Sequence, residues 1–96
     1  VKIGERPIMK KVFKYELPSH ACDVQMPAGA EIVHVGEQRG QVCLWAVVDP
    51  DATAVTRRFV TVGTGWEIER PESLKHLASI VMEGHALVWH VFERIL

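Results

Sequence analysis

The sequence predicts a mainly β protein: about seven short strands in an antiparallel meander, curled into a small barrel or sandwich. Three observations predict it. Residues 12–17 alternate apolar and polar side chains, residues 55–62 are rich in β-branched types, and residues 86–93 are apolar on both alternating faces. In that last run Leu87, Trp89 and Val91 share one face and Val88, His90 and Phe92 the other. Such a strand is covered on both sides or sits in an oligomer seam, so it is expected at the centre of the fold.

Each element has a local reason. Residues 12–17 place Phe13, Tyr15 and Leu17 on one face and stop at Pro18. Residues 22–26 put Cys22, Val24 and Met26 together and end at Pro27, with a turn at Ala28-Gly29. Residues 31–38 and 41–49 form a hairpin around Arg39-Gly40; with those two as the loop, Gln38 pairs with Gln41 and His34 lies opposite Trp45. Residues 50–53 are a turn cluster. In residues 55–62, Arg57 shares a face with Val55 and Phe59, and Arg58 one with Val60 and Val62. Gly63-Thr64-Gly65 breaks that strand, and a loop runs on to Ser73 through Pro71. Residues 74–82 read two ways. Leu74, Leu77, Ala78, Val81 and Met82 fit helical spacing, with Ser73 as N-cap and Gly84 as the stop, which gives an alternative α+β fold with residues 73–83 helical. The competing reading makes 76–83 a strand that turns at Gly84-His85 into the final one.

Ninety-six residues make one domain. It is assigned to residues 9–96, with 1–8 a tag-like or flexible segment and Met9 a natural start. A hydrophobic fraction of 48% with 24% charged residues argues against disorder. The net charge of −1 gives no strong attraction to nucleic acid, which is not an expected partner, and Lys10, Lys11 and Lys14 read as a solvated strand edge. No apolar run reaches membrane-spanning length and the N-terminal stretch carries no signal-peptide h-region, so a cytoplasmic location is expected. Cys22 and Cys43 lie far apart without a CxxC pair, and are expected to be reduced thiols. The strands over 41–49 and 86–93 have more covered faces than one small sheet can bury, which predicts a homo-oligomer.

The candidate site residues are Arg57, Arg58, Thr64, Gly65, Trp66 and His90. Gly63-Thr64-Gly65 lacks the spacing of a dinucleotide loop and is explained by a turn needing positive φ; its functional reading is a nest of backbone N–H groups receiving an anion, with Thr64 as extra donor. Trp66 is either a packing aromatic or a platform for a base or ring. One of Arg57 and Arg58 is expected to face the interior or an interface, where a guanidinium needs a carboxylate such as Asp49 or Glu93, a partner's acidic residue, or an anionic ligand. His90 is by default a hydrogen-bonded core histidine. Centring the last hairpin on Gly84 sets Ala78 opposite His90 and brings His76 close, a metal half-site; a two-residue Gly84-His85 turn sets Ser79 opposite His90, a Ser–His pair. Neither has a third member at identifiable spacing. No catalytic residue, metal or cofactor is assigned.

Lys14-Tyr15-Glu16-Leu17, residues 26–32 (MPAGAEI), residues 44–49 (LWAVVD), Arg57-Arg58-Phe59 before Gly63-Thr64-Gly65, and residues 87–93 (LVWHVFE) together resemble a family of small bacteriophage and prophage proteins of uncharacterised function, over about residues 10–93. The resemblance implies a strand at 76–83 and a phage or prophage origin, and supplies no reaction. The family often has His after its Gly-Thr-Gly where this chain has Trp66, so no role of that His transfers. The resulting expectation is a non-enzymatic binding protein that acts on the host, countering defence by occupying a host protein or capturing a small anionic, nucleotide-like ligand. The alternatives are a small hydrolase or nuclease using His90 and His76, and a virion or assembly accessory protein.

Overall fold

The computed structural model describes residues 9–82, 84 and 86–96. Seven strands follow one another: β1 (Lys11–Glu16), β2 (Ala21–Pro27), β3 (Glu31–Gln38), β4 (Gln41–Val48), β5 (Ala54–Gly63), β6 (Leu74–Val81) and β7 (Val88–Arg94). They form two antiparallel sheets, a three-stranded one in the order β1-β4-β3 and a four-stranded one in the order β2-β5-β7-β6. The mainly β expectation holds in sandwich form. Residues 1–8 lie outside the described residues, so the reading of them as a tag-like segment does too.

The strand order departs from a meander. β3–β4 and β6–β7 are hairpins between neighbours, whereas β1 pairs with β4 and β2 with β5. Local chemistry accounts for the difference. Arg39 (φ 54°) and Gly40 (φ 77°) both take the left-handed conformation of a two-residue type I′ turn, whose twist joins adjacent strands directly. Pro18 and Pro27 instead lack an N–H for the ladder, and near each of them the chain crosses to the other sheet. The predicted pairs Gln38 with Gln41 and His34 with Trp45 are observed.

One core lies between the sheets. β4 turns Val42, Leu44, Ala46 and Val48 inward, and the other sheet contributes Met26, Phe59, Ile80 and Val91. Both runs singled out for their apolar faces are inner strands: β4 between β1 and β3, β7 between β5 and β6. β4 also sets Trp45 and Cys43 on the outer side of its sheet, where the His34 ring packs 5.2 Å from Trp45.

The helical alternative for 73–83 is set aside. A single 3-10 turn (Pro71–Ser73) leads into β6, in which Ile80 is buried and Val81 is 69% exposed. That is the period of two of a strand, and burial against β7 overrides the local helical spacing. Ser73 caps no helix. Its backbone N–H and its Oγ both donate to the Arg70 carbonyl, at 3.0 and 2.8 Å, and its own carbonyl accepts from Ile95 N–H at 2.8 Å.

Candidate functional site

The structure divides the six predicted site residues among four places. Arg57 faces inward as expected, and its partner is Glu93. Nε donates to Oε2 at 2.6 Å and Nη2 to Oε1 at 2.8 Å, while Nη1 donates to the Ala30 carbonyl at 2.5 Å. The Glu93 hydrogen bonds, more than burial, set its pKa and push it further up. A guanidinium with its fork filled by a bidentate carboxylate and a carbonyl is a structural cation rather than a ligand grip. Arg58 lies on the opposite face, where Nε donates to Asp23 Oδ1 at 2.7 Å and Nη2 to Oδ2 at 3.2 Å. Those hydrogen bonds hold the Asp23 carboxyl below the usual carboxylate range.

Thr64 and His90 do meet. Thr64 Oγ1 is 2.7 Å from His90 Nε2, and His90 Nδ1 is 2.7 Å from Ser79 Oγ, which is itself 3.1 Å from His76 Nε2. Ser79 faces His90 because β6 and β7 run in the register of a two-residue turn. A bulge at Leu77 then shifts the register by one, so His76 pairs with Phe92 and comes back to the Ser79 face. Ser79 thus contacts His90 directly, and His76 reaches it through Ser79. The turn residues Glu83 and His85 lie outside the described ones. Among the described residues, no group of three or more His, Cys, Asp or Glu side chains is placed to hold a metal.

Gly65 and Trp66 continue the same turn, but Trp66 packs on Trp89 and His20 rather than on His90. Gly65 takes φ 88°, and Trp66 N–H donates to the Gly63 carbonyl at 3.1 Å, which closes a four-residue turn around Thr64-Gly65. The indole then folds back over Gly63, where an added Cβ would lie 2.9 Å from Trp66 Nε1, so that only glycine leaves the ring its place. Trp66 packs edge-on against Trp89 (centroids 5.3 Å, 87°) and His20 (4.8 Å, 78°) and stays 48% exposed. His20 and Trp89 line a pocket of about 360 Å³ between the β1–β2 link, the tip of the β3–β4 hairpin and Met82. Leu17, Val42 and Met82 supply its apolar wall. Gln41 also lines it; Nε2 is committed to the Leu17 and Val42 carbonyls at 2.8 and 3.1 Å, while Oε1 accepts no hydrogen bond among the described residues. Sequence reasoning found Trp66 and missed His20, Trp89 and Gln41. Each has a sufficient local explanation as a loop or strand residue, and no periodic signal marks three separate segments as converging.

Both cysteines are free and buried; burial pushes the Cys43 thiol up, and Cys22 Sγ donates to the Ser19 carbonyl at 3.0 Å. No helix among the described residues is long and apolar enough to cross a membrane.

The chain belongs to the family described as Domain of unknown function (DUF7352), which it matches over residues 9–96. Neither the curated proteins nor the solved structures contain a match to it.

Proposed function

We propose that this is a non-enzymatic binding protein whose ligand presents a flat heteroaromatic ring, of the kind carried by a nucleobase, to the pocket beside Trp66. The observation that carries the reading is the half-exposed indole, fixed edge-on by Trp89 and His20 at the pocket they line. A rigid aromatic platform stacks a planar ring at little entropic cost. Gln41 Oε1 is an open acceptor suited to a ring N–H, and a volume of about 360 Å³ falls in the range of small-molecule sites. Arg57, with its fork filled, takes no part.

The biological setting rests on the resemblance to phage and prophage proteins: an accessory factor in the host cytoplasm that counters defence by withdrawing a nucleotide-like signal. The homo-oligomer uses the outer face of the three-stranded sheet, where Val12 and Val33 are more than half exposed near Trp45.

The test is titration calorimetry and indole fluorescence against a panel of nucleosides and nucleotides, with Trp66→Ala beside the parent. Saturable binding lost in the variant is the expected result. A folded parent that binds none of the panel, or a Trp66→Ala variant that binds as well as the parent, removes this reading. Native mass spectrometry against host lysate then asks whether a protein fills the role instead.

The second reading, a small hydrolase, has one observation in its favour: the hydrogen-bonded series from His76 through Ser79 and His90 to Thr64. In it Ser79 can donate to His90 Nδ1 while Thr64 fixes Nε2, the arrangement of an activated hydroxyl. Metal-independent esterase turnover abolished by both Ser79→Ala and His90→Ala would establish it.

A further inference from the structure

The outer face of the four-stranded sheet holds a second concavity, on the other side of the sheet from the aromatic pocket. Thr61 and His20 line the aromatic pocket, and their neighbours Val60 and Ala21 line this one. It has a volume of about 360 Å³ and brings together Arg58, Arg70 and Arg94 with Asp23 and Glu69.

Three features here oppose stability. Arg58 and Arg94 stand directly opposite each other on β5 and β7, a like-charged cross-strand pair. Arg70 is in the left-handed conformation (φ 47°, ψ 62°) although it is not glycine and precedes a proline, which disfavours it further. The charges are also incompletely matched. Asp23 takes Arg58, but Arg94 has only the Ser73 hydroxyl as acceptor, and the Arg70 guanidinium has no hydrogen bond or ion pair among the described residues. Ser73 ties the last two together, since its backbone N–H and its hydroxyl both hold the Arg70 carbonyl and that hydroxyl also accepts from Arg94.

We infer that this concavity is a phosphate-binding site, in which Arg70 and Arg94 grip the oxygens of a polyphosphate chain and Arg58 borders them. Guanidinium forks match phosphate oxygens in pairs, and Arg70 and Arg94, neither hydrogen-bonded to a carboxylate among the described residues, outweigh the Glu69 carboxylate in the same concavity and leave positive charge for a phosphate group. The ligand then relieves the like-charge opposition, and the strained Arg70 backbone holds its guanidinium at the site. The site is independent of the aromatic pocket, and either can fail without the other.

Calorimetry with sodium tripolyphosphate at low ionic strength tests it, on the full chain. The expected result is one saturable site per chain whose affinity falls with added salt and drops about tenfold in Arg70→Gln. Arg70 is exposed and holds no other side chain, so that variant keeps the fold, which circular dichroism verifies. Arg94→Gln is expected to weaken binding similarly, and Trp66→Ala to leave it unchanged. ATP in a parallel arm separates the sources of the phosphate: affinity equal to tripolyphosphate assigns the chain alone, and tighter binding assigns a nucleotide. No saturable binding of tripolyphosphate, binding unaltered by Arg70→Gln, or binding lost in a folded Trp66→Ala variant overturns the inference.

Discussion

The two sheets share a core but divide the labour. The three-stranded sheet draws largely on local signals, an apolar central strand, a type I′ turn and alternating edges, with β1 the one strand brought from a distance. Its outer face carries Trp45, His34 and exposed valines, with Lys14 Nζ donating to Gln38 as a surface hydrogen bond at 2.8 Å. The four-stranded sheet holds most of the polar arrangements with chemistry in them. These are the Arg57–Glu93 pair, the Ser79–His90 series and the arginine concavity, while the aromatic pocket draws Thr61 and Trp89 from this sheet and Gln41 and Val42 from the other. The difference teaches that polar chemistry here gathers where separate segments converge: β2 meets β5 and β7 on one sheet, and the aromatic pocket takes residues from both.

The comparison can be broken most decisively at the core. Phe59 and Leu44 are both buried and belong to different sheets. Each truncation to alanine is expected to destabilise by about 3–5 kcal/mol, in one cooperative urea transition with an unchanged slope. Two separable transitions, or a Leu44→Ala loss confined to one set of probes, would mean that the sheets are independent.

A smaller effect sharpens the contrast between buried and surface polar contacts. Side chains of Arg57 and Glu93 are 22% and 13% exposed. Glu93→Gln is expected to cost about 2 kcal/mol, since it leaves a partly buried guanidinium short of its counter-charge. Lys14→Met in the other sheet is expected to stay within about 0.5 kcal/mol. Equal losses in the two variants, measured by the same denaturant titration, would erase the distinction.

The smallest effect concerns pH. Arg58 holds the Asp23 carboxyl below its unfolded value, so the ion pair contributes stability that is fully present above the usual carboxylate range. It is lost as pH falls through the lowered folded pKa. Asp23→Asn should therefore lie below the parent at neutral pH and converge with it in strong acid. Both partners are about half exposed, so the gap is small; parallel stability curves down to the acid limit would show that the pair contributes nothing.

Much of this was legible from residue patterns. Alternation and turn chemistry placed the strands, and the Val60-side and Phe59-side assignment of the two arginines was correct because a strand has a strict period of two. The strand order was not legible, because pairing β1 with β4 and β2 with β5 depends on long-range burial that no local spacing encodes. The site was legible only in fragments. Thr64 and His90 were named and do meet. His76 joins them through the bulge at Leu77, a one-residue irregularity without a glycine to announce it. Arg70 and Arg94 lay in stretches read as a loop and a chain end, and nothing in their neighbours marks them as facing Arg58.

The threading of the chain has a consequence for how such a protein can be made and remade. The path switches sheets three times, after β1, β2 and β4. Neither sheet is a contiguous fragment, so no cut yields a half with its own complete layer. Ribosomal synthesis must deliver β5 before β2 finds its neighbour, and β7 before the four-stranded layer closes. Slow, late, all-or-none acquisition of structure follows from that order, with the nascent β2 edge left open until then.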